Sequence, residues 1–286
     1  MRYRPIRRNG EFGRVYARGK SYVNPALVLY VLKTRGRNTR VGLTATKKIG
    51  HAGTLDPMAT GVLPVFVGRA TRAVEFASEG DKEYLAGLRL GTVTDTQDTS
   101  GRVLEEHPVS VTREELEAAL APFRGEIQQL PPMYSAIKVN GKKLYELARK
   151  GREVERKPRA ITIHSLVVEG QESATDFIIR VRCSKGTYVR TLCHDIGQVL
   201  GCGGCMFSLR RTMAAGFTLG ESVTLEQVQE LGEKLLRPTD SLFREHPEYR
   251  LKTARQEERC RNGNPFFIKE SLPEGTYRIY GREGDF

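Results

Sequence analysis

Residues 47–66 read KKIGHAGTLDPMATGVLPVF, and the interpretation of the whole chain turns on them. One carboxylate, Asp56, stands among Gly50, Gly53 and Gly61, directly before an apolar run. Glycine accepts backbone conformations closed to other residues, and an Asp-Pro pair initiates turns by bonding its own backbone. Two readings follow. Either Asp56 is a turn former for Pro57, or the turn serves to present an ionised carboxylate.

Working outward, 286 residues exceed one average core, so two domains or one large domain with an appendage are expected. The longest apolar run, PALVLYVL at 25–32, falls short of the roughly 18 residues a membrane span needs. The basic start MRYRPIRRNGEFGRVYARGK lacks the apolar segment and cleavage site of a secretory signal. Five cysteines, unevenly placed at 183, 193, 202, 205 and 260, do not make a disulfide framework. A cytoplasmic protein without a membrane partner is expected.

The charge is unevenly distributed. The chain has 46 Lys and Arg against 34 Asp and Glu, and the whole excess of +12 lies in residues 1–50, with 13 basic residues and one acid, Glu11. Residues 51–286 are neutral. A short segment this basic, interleaved with Tyr3, Phe12, Tyr16 and Tyr22, suits a polyanion, and nucleic acid better than a membrane surface. A solvated basic arm is the alternative. Within the neutral part, residues 138–159 carry nine basic residues and three acids, a second positive patch.

Pattern places the elements. Residues 25–33, 40–45, 83–90 and 176–183 read as strands. The run GTVTDTQDTSGRV at 91–103 is turn chemistry, with Asp95 and Asp98 as turn formers rather than ligands. TREELEAALAPF at 112–123 has a capping Thr112, Glu115 three positions on, and apolar residues at helical spacing. SKGTYVRTLCHDIGQVLG reads as a helix ending at Gly201, with Arg190 near its start and off the Val189, Leu192, Ile196, Val199 stripe.

Several chemistries lack their residues. No phosphate-cradling GxxxxGK[ST] and no dinucleotide fingerprint occurs, the five histidines are dispersed, and the lone CGGC at 202–205 has no second ligand pair. No cofactor and no metal are expected. A carboxylate, basic residues and aromatics fit chemistry on a nucleobase flipped out of folded RNA. Tyr84 and His51 suit stacking and holding the vacated place open, and an arginine is the natural partner for a buried carboxylate.

Five ordered motifs carry a resemblance: GHAGTLDPMATGVLPV at 50–65, KEYLAGLRLGTVTDTQDTSG at 82–101, QQLPPMYSAIKVNGKKLYELARKG at 128–151, CSKGTYVRTLCHDIGQVLGCGG at 183–204 and SLRRTMAAGFTL at 208–219. Together they are similar to the tRNA pseudouridine synthase B (TruB) family. The resemblance implies an α+β pseudouridine synthase fold, a mixed, mostly antiparallel sheet flanked by helices, with a small β-rich C-terminal domain of the PUA type. It implies an isomerase that converts the T-arm uridine at position 55 of tRNA to pseudouridine by base flipping and an aspartate-dependent glycosidic bond exchange, acting as a monomer. Asp56, Tyr84 and Arg190 match the catalytic aspartate, the stacking tyrosine and the paired arginine. His51 matches the histidine that takes the flipped nucleotide's place, and Tyr188 and Leu209 match pocket residues. Lys138, Lys142, Lys143 and Arg149 fall in a segment that resembles the family's RNA-gripping insertion.

The front departs from that pattern. The family's first strand and its lysine-proline-glycine-threonine-serine segment are absent, and residues 1–50 resemble the N-terminal part of the bacterial ribonuclease P protein component without its arginine-asparagine-arginine helix. The expected organisation is a ribonuclease P protein-like segment at 1–50, a catalytic domain at 51–243 and a PUA-like domain at 244–286 that stops early. Pairing by residues 26–33 would be needed to cover the main-sheet edge left by the absent strand. The alternatives are an RNA-binding accessory protein related to the ribonuclease P subunit, and an inactive fusion.

Overall fold

A computed structural model of the chain describes residues 48–139 and 141–286, Lys138 by its backbone alone, and in addition the backbone of four strands nearer the N-terminus. Those four, β1 (Arg2–Tyr3), β2 (Lys20–Asn24), β3 (Leu27–Lys33) and β4 (Asn38–Thr44), form their own sheet in the order β1-β4-β3-β2. Both edges of β3 are used there, Leu29 lying opposite Tyr22 on one side and Leu43 on the other. The segment therefore does not stand in for a strand of the main sheet. Residues 25, 26 and 45 of the expected strands, and the side chains of the basic front, lie outside the described residues.

The quoted stretch forms a ribbon of β5 (Ile49–His51) and β7 (Val65–Val67), with β6 (Thr60–Gly61) between them in sequence and α1 (Val74–Glu79) following. The main sheet is then laid down by β8 (Lys82–Leu90), and the expected turn follows it, flanked by β9 (Thr92–Thr94) and β10 (Val103–Glu106). Thr112 and Glu115 make the expected capping box on α2 (Arg113–Ala119). Next come β11 (Gly125–Gln129), the hairpin β12 (Lys138–Val139) and β13 (Lys142–Lys143), α3 (Leu144–Ala148), and the long strands β14 (Arg159–Gln171) and β15 (Asp176–Cys183). Helix α4 (Val189–Val199), β16 (Gly204–Ala214) and β17 (Phe217–Thr218) complete the sheet, in the order β11-β14-β15-β8-β16-β17. All these pairings are antiparallel, and β6 adds to β16 in parallel.

The core follows from period-2 alternation. Phe177, Ile179, Val181 and Cys183 of β15 and Ala86, Leu88 and Leu90 of β8 face one way, fully buried, beneath α2 and α4. Helix α4 contributes Val189, Leu192, Cys193 and Ile196 to that layer. It begins five residues later than the sequence pattern indicated, and Val199, expected on the buried stripe, is exposed. A side chain at Gly197 would place its Cβ 2.2 Å from the Gly204 nitrogen, so glycine there lets α4 lie directly on β16. Cys205, the last residue of the CGGC stretch, is a fully buried strand residue.

Beyond the sheet, α5 (Leu225–Leu231), α6 (Ala254–Arg261) and a parallel pair, β18 (Glu248–Arg250) and β19 (Arg278–Tyr280), make up the C-terminal part. Phe243 meets Phe76 of α1 edge-on at 5.5 Å between ring centroids and Phe286 at 6.0 Å. Aromatic contacts thus tie this part to the helix that precedes β8.

Candidate active site

The loop between β5 and β7 closes the turn expected at Asp56. The Ala59 amide donates to the Asp56 carbonyl at 2.9 Å, closing a turn with Pro57 at its second position. Met58 and Ala59 then pack on the core, which fixes the turn, while the Asp56 side chain stays partly exposed.

A buried arginine holds the ends of this loop. Arg211 of β16 donates from Nε to the Val62 carbonyl at 2.8 Å and from Nη2 to the Gly53 carbonyl at 3.1 Å, while its own carbonyl accepts from the Val62 amide at 2.9 Å. The approach is so close that a Cβ at Gly61, whose φ is +100°, would stand 2.1 Å from the Arg211 oxygen. Only glycine serves there.

The carboxylate meets Arg190, 134 residues further on, with Nη2 donating to Oδ1 at 2.8 Å. The same Nη2 donates to the Tyr134 carbonyl at 3.1 Å, and Nη1 lies 3.6 Å from Oδ2 of Asp98. One guanidinium therefore faces two carboxylates. Asp98 is a turn former, as the sequence suggested, its Oδ1 accepting from the Ser100 amide and from the hydroxyls of Ser100 and Thr96. Its other oxygen faces Arg190, a second contact that the turn chemistry alone did not indicate. Side-chain exposure separates the three: 28% for Asp56, 8% for Arg190 and 6% for Asp98. Among them Asp56 has the open face.

Electrostatics sharpen the difference. Burial pushes the Asp56 carboxyl above the usual carboxylate range, Arg190 pulls it back, and the charge on Asp98 pushes it up again. Arg190 offsets part of the cost of burial, and the carboxylate is left more basic than a solvated one. Burial likewise raises the Tyr84 phenol, with Arg211 opposing and the Asp56 charge adding to the rise.

Register brings in two more of the expected residues. Tyr84 lies opposite Arg211 and Ala86 opposite Leu209, so Tyr84, Leu209 and Arg211 share one face of the sheet beneath the Asp56 loop. Tyr188 is the residue before α4, its amide and carbonyl both bonded to the Gln129 side chain, at 2.8 and 3.0 Å. His51 ends β5 opposite Val65 and is exposed. In the basic hairpin, Lys138 pairs with Lys143, Lys142 is exposed, and Lys143 and Arg149 lie 5.5 and 5.1 Å from the Tyr145 ring centroid. The Lys138 side chain lies outside the described residues. The hairpin is joined to the site through adjacent residues, since Tyr134 accepts from Arg190 and Ser135 from the Tyr145 amide. Among the described residues no cluster of three or more His, Cys, Asp or Glu has a metal-holding arrangement, and no helix is long and apolar enough to cross a membrane.

Sequence reasoning missed the second role of Asp98 and the whole role of Arg211. Both stand in quoted motifs, TDTQD and SLRRT, yet no periodicity marks a strand arginine as buried when bulges interrupt β16 between Met206 and Ser208 and between Arg211 and Met213.

Comparison with known proteins adds three family matches: TruB family pseudouridylate synthase (N terminal domain) over residues 41–189, tRNA pseudouridylate synthase B C-terminal domain over 190–244, and Ribonuclease P over 1–54. The first and third overlap at 41–54, around the charge step. The tRNA pseudouridine synthase B of Azoarcus sp. strain BH72 is 52% identical over 211 residues, 72% of this chain and 70% of the relative. That of Francisella philomiragia is 42% identical over 277 residues, covering 92% and 90%. A solved Cbf5-Nop10-Gar1 complex matches with a TM-score of 0.56 at 29% identity over 72% of this chain, which spans 56% of that one. An H/ACA ribonucleoprotein bound to a substrate RNA containing 2′-deoxyuridine shares the fold, with a TM-score of 0.61 at 23% identity over 83% of this chain and 67% of that one.

Proposed function

The chain belongs to the TruB family of pseudouridylate synthases, and from that premise we propose how its own residues perform pseudouridine synthesis in tRNA. The reaction is an isomerisation. The bond from uracil N1 to the ribose is broken, the base turns, and C5 bonds to the same sugar carbon while C5 loses a proton and N1 gains one. Nothing is oxidised and no water is consumed.

Asp56 is the reacting group. It acts on a uridine extruded from the T-arm, position 55 being the expected target, as nucleophile or as the base that takes a proton. Arg190 holds it in place and supplies counter-charge. Tyr84 offers its ring to the base, with Leu209 and Tyr188 as walls and His51 at the rim where the flipped nucleotide leaves its place. Lys138, Lys142, Lys143 and Arg149 lie on the hairpin joined to this site and are assigned to the RNA backbone. Residues 51–243 are the catalytic domain, 244–286 a PUA-like part, and 1–50 a ribonuclease P-like segment whose charge adds affinity for RNA. The protein works as a cytoplasmic monomer.

One observation carries the assignment: a 2.8 Å contact joins Asp56 to a buried Arg190 while the carboxylate stays partly exposed. The accessory-protein reading rests on 1–54 alone, whereas the two TruB matches run together over 41–244. The test is tritium release from tRNA labelled at uracil C5. The wild type should release tritium, the release should vanish in Asp56→Asn, and tRNA carrying cytidine at position 55 should give none. A folded wild type that releases nothing, or an Asp56→Asn variant that retains activity, refutes the proposal.

A further inference from the structure

Gln97 and Ala215 are the two non-glycine residues with left-handed backbone among those described, and Gln97, with φ +63°, immediately precedes Asp98. Such a conformation is disfavoured for a residue with a side chain, and glycine would adopt it freely. The turn nevertheless holds it there. The Gln97 amide donates to the Thr94 carbonyl at 3.2 Å, and its carbonyl accepts from the Met206 amide at 3.0 Å. What glutamine adds is reach: its Oε1 accepts from the Thr191 hydroxyl at 2.7 Å, across 94 residues of sequence. Thr191 is buried on α4, next to Arg190. The two residues in this contact are thus the chain neighbours of the two in the Asp98–Arg190 ion pair.

We propose that Gln97 and Thr191 form a latch that sets the spacing between the Asp98 turn and helix α4, and so keeps the Arg190 guanidinium between Asp98 and Asp56. Both are positioning residues, and the inference rests on the reading that Asp56 and Arg190 are the reacting pair. Without the latch, turn and helix keep their separate backbone contacts with β16 and, with each other, the 3.6 Å ion contact, which is longer than a hydrogen bond. Arg190 then has room to withdraw from Asp56. Arg190 from α4, Asp98 from the turn and Tyr84 from β8 are the charged or titratable groups facing Asp56. Loss of Arg190's pull leaves burial and Asp98 less opposed, so Asp56 loses its proton at a higher pH.

Three variants test this: Gln97→Gly, which relieves the backbone and cuts the latch; Gln97→Asn, which tolerates the backbone but is too short to reach; and Thr191→Val. In each, kcat for tritium release should fall roughly ten- to a hundredfold, as a small misplacement of reacting groups does. KM for tRNA should stay within about twofold, and the acid limb of kcat/KM should move to higher pH. Gln97→Gly combined with Thr191→Val should be no slower than the worse single variant, because both cut one contact. Unchanged kcat and pH profile in all three, or a loss of activity that tracks the loss of Tm with an unmoved acid limb, overturns the latch. Carbon-13 titration of the Asp56 carboxyl separates this outcome from failure of the proposed function. A midpoint raised in Gln97→Gly supports the latch even if the wild type releases no tritium, and an unmoved midpoint overturns it even if the wild type is active.

Discussion

The loop carrying Asp56 and the turn carrying Asp98 deliver the same group to the same guanidinium by opposite means. Asp98 is buried and one of its oxygens accepts three hydrogen bonds from its own turn, so its position is over-determined. Asp56 has one side-chain partner, Arg190, and its placement comes from the backbone, through the Pro57 turn and the carbonyls that Arg211 grips. A carboxylate tied down by its own turn is a good anchor. A carboxylate held by its backbone keeps its lone pairs for a substrate.

That contrast breaks most visibly on removing the anchor. Asp98→Ala strips a counter-charge from buried Arg190 and acceptors from Ser100 and Thr96, so about 3–5 kcal/mol of stability should be lost in urea denaturation, with tritium release falling alongside. Equal stability of variant and wild type would show that the turn does not depend on its carboxylate.

Asp56→Asn should do the reverse, abolishing turnover while leaving stability at pH 7 unchanged or higher. The sign follows from the raised native pKa. Between the unfolded value, about 4, and the native one, the folded state holds the extra proton, so stability falls as pH rises through that window. Removing the charge recovers that loss at pH 7, and the difference should vanish below the unfolded value. A variant markedly less stable than wild type at pH 7 would mean that the Arg190 contact outweighs burial.

The smallest effect is expected far from the site, at a carboxylate built like Asp98 but on the surface. Glu221 accepts from the Thr218 amide and from Arg237 and Arg244, which hold it down at about 2. Glu221→Gln should lower Tm by a few degrees at pH 7. The gap should be complete above the ordinary value of about 4 and close as pH falls toward 2. A gap that persists at low pH would assign the effect to packing.

The local parts of this design were legible in the residues. Thr112 and Glu115 announce a capped helix and a cap is found; the alternation in 176–183 announces a strand with one buried face and Phe177, Ile179 and Val181 are buried. Asp56 and Arg190 stand out through motif resemblance, and they meet. Asp98 was half legible, since its turn chemistry is local and its contact with Arg190 is not. Arg211 and the Gln97–Thr191 contact were not legible, because nothing within a few residues of either distinguishes a buried, bonded side chain from an exposed one. Residues 26–33 pattern as a strand and form one from Leu27, but the partner they take lies in another sheet. Pattern specifies that a strand forms and leaves its neighbour open.

By itself the order of amino acids determined the element types, the charge step before residue 51 and the tight turn at Asp56–Pro57. Those depend on backbone preferences and side-chain periods that act within a few positions. Tertiary structure alone decided that one arginine would lie between two carboxylates of unlike exposure, that a second would clamp the Asp56 loop, and that Gln97 would reach helix α4. These contacts span 92 to 158 positions and are set by strand register, bulges and the close approach at Gly197. A shift of one residue in the β16 register would send Arg211 to the opposite face of the sheet, away from the loop it clamps.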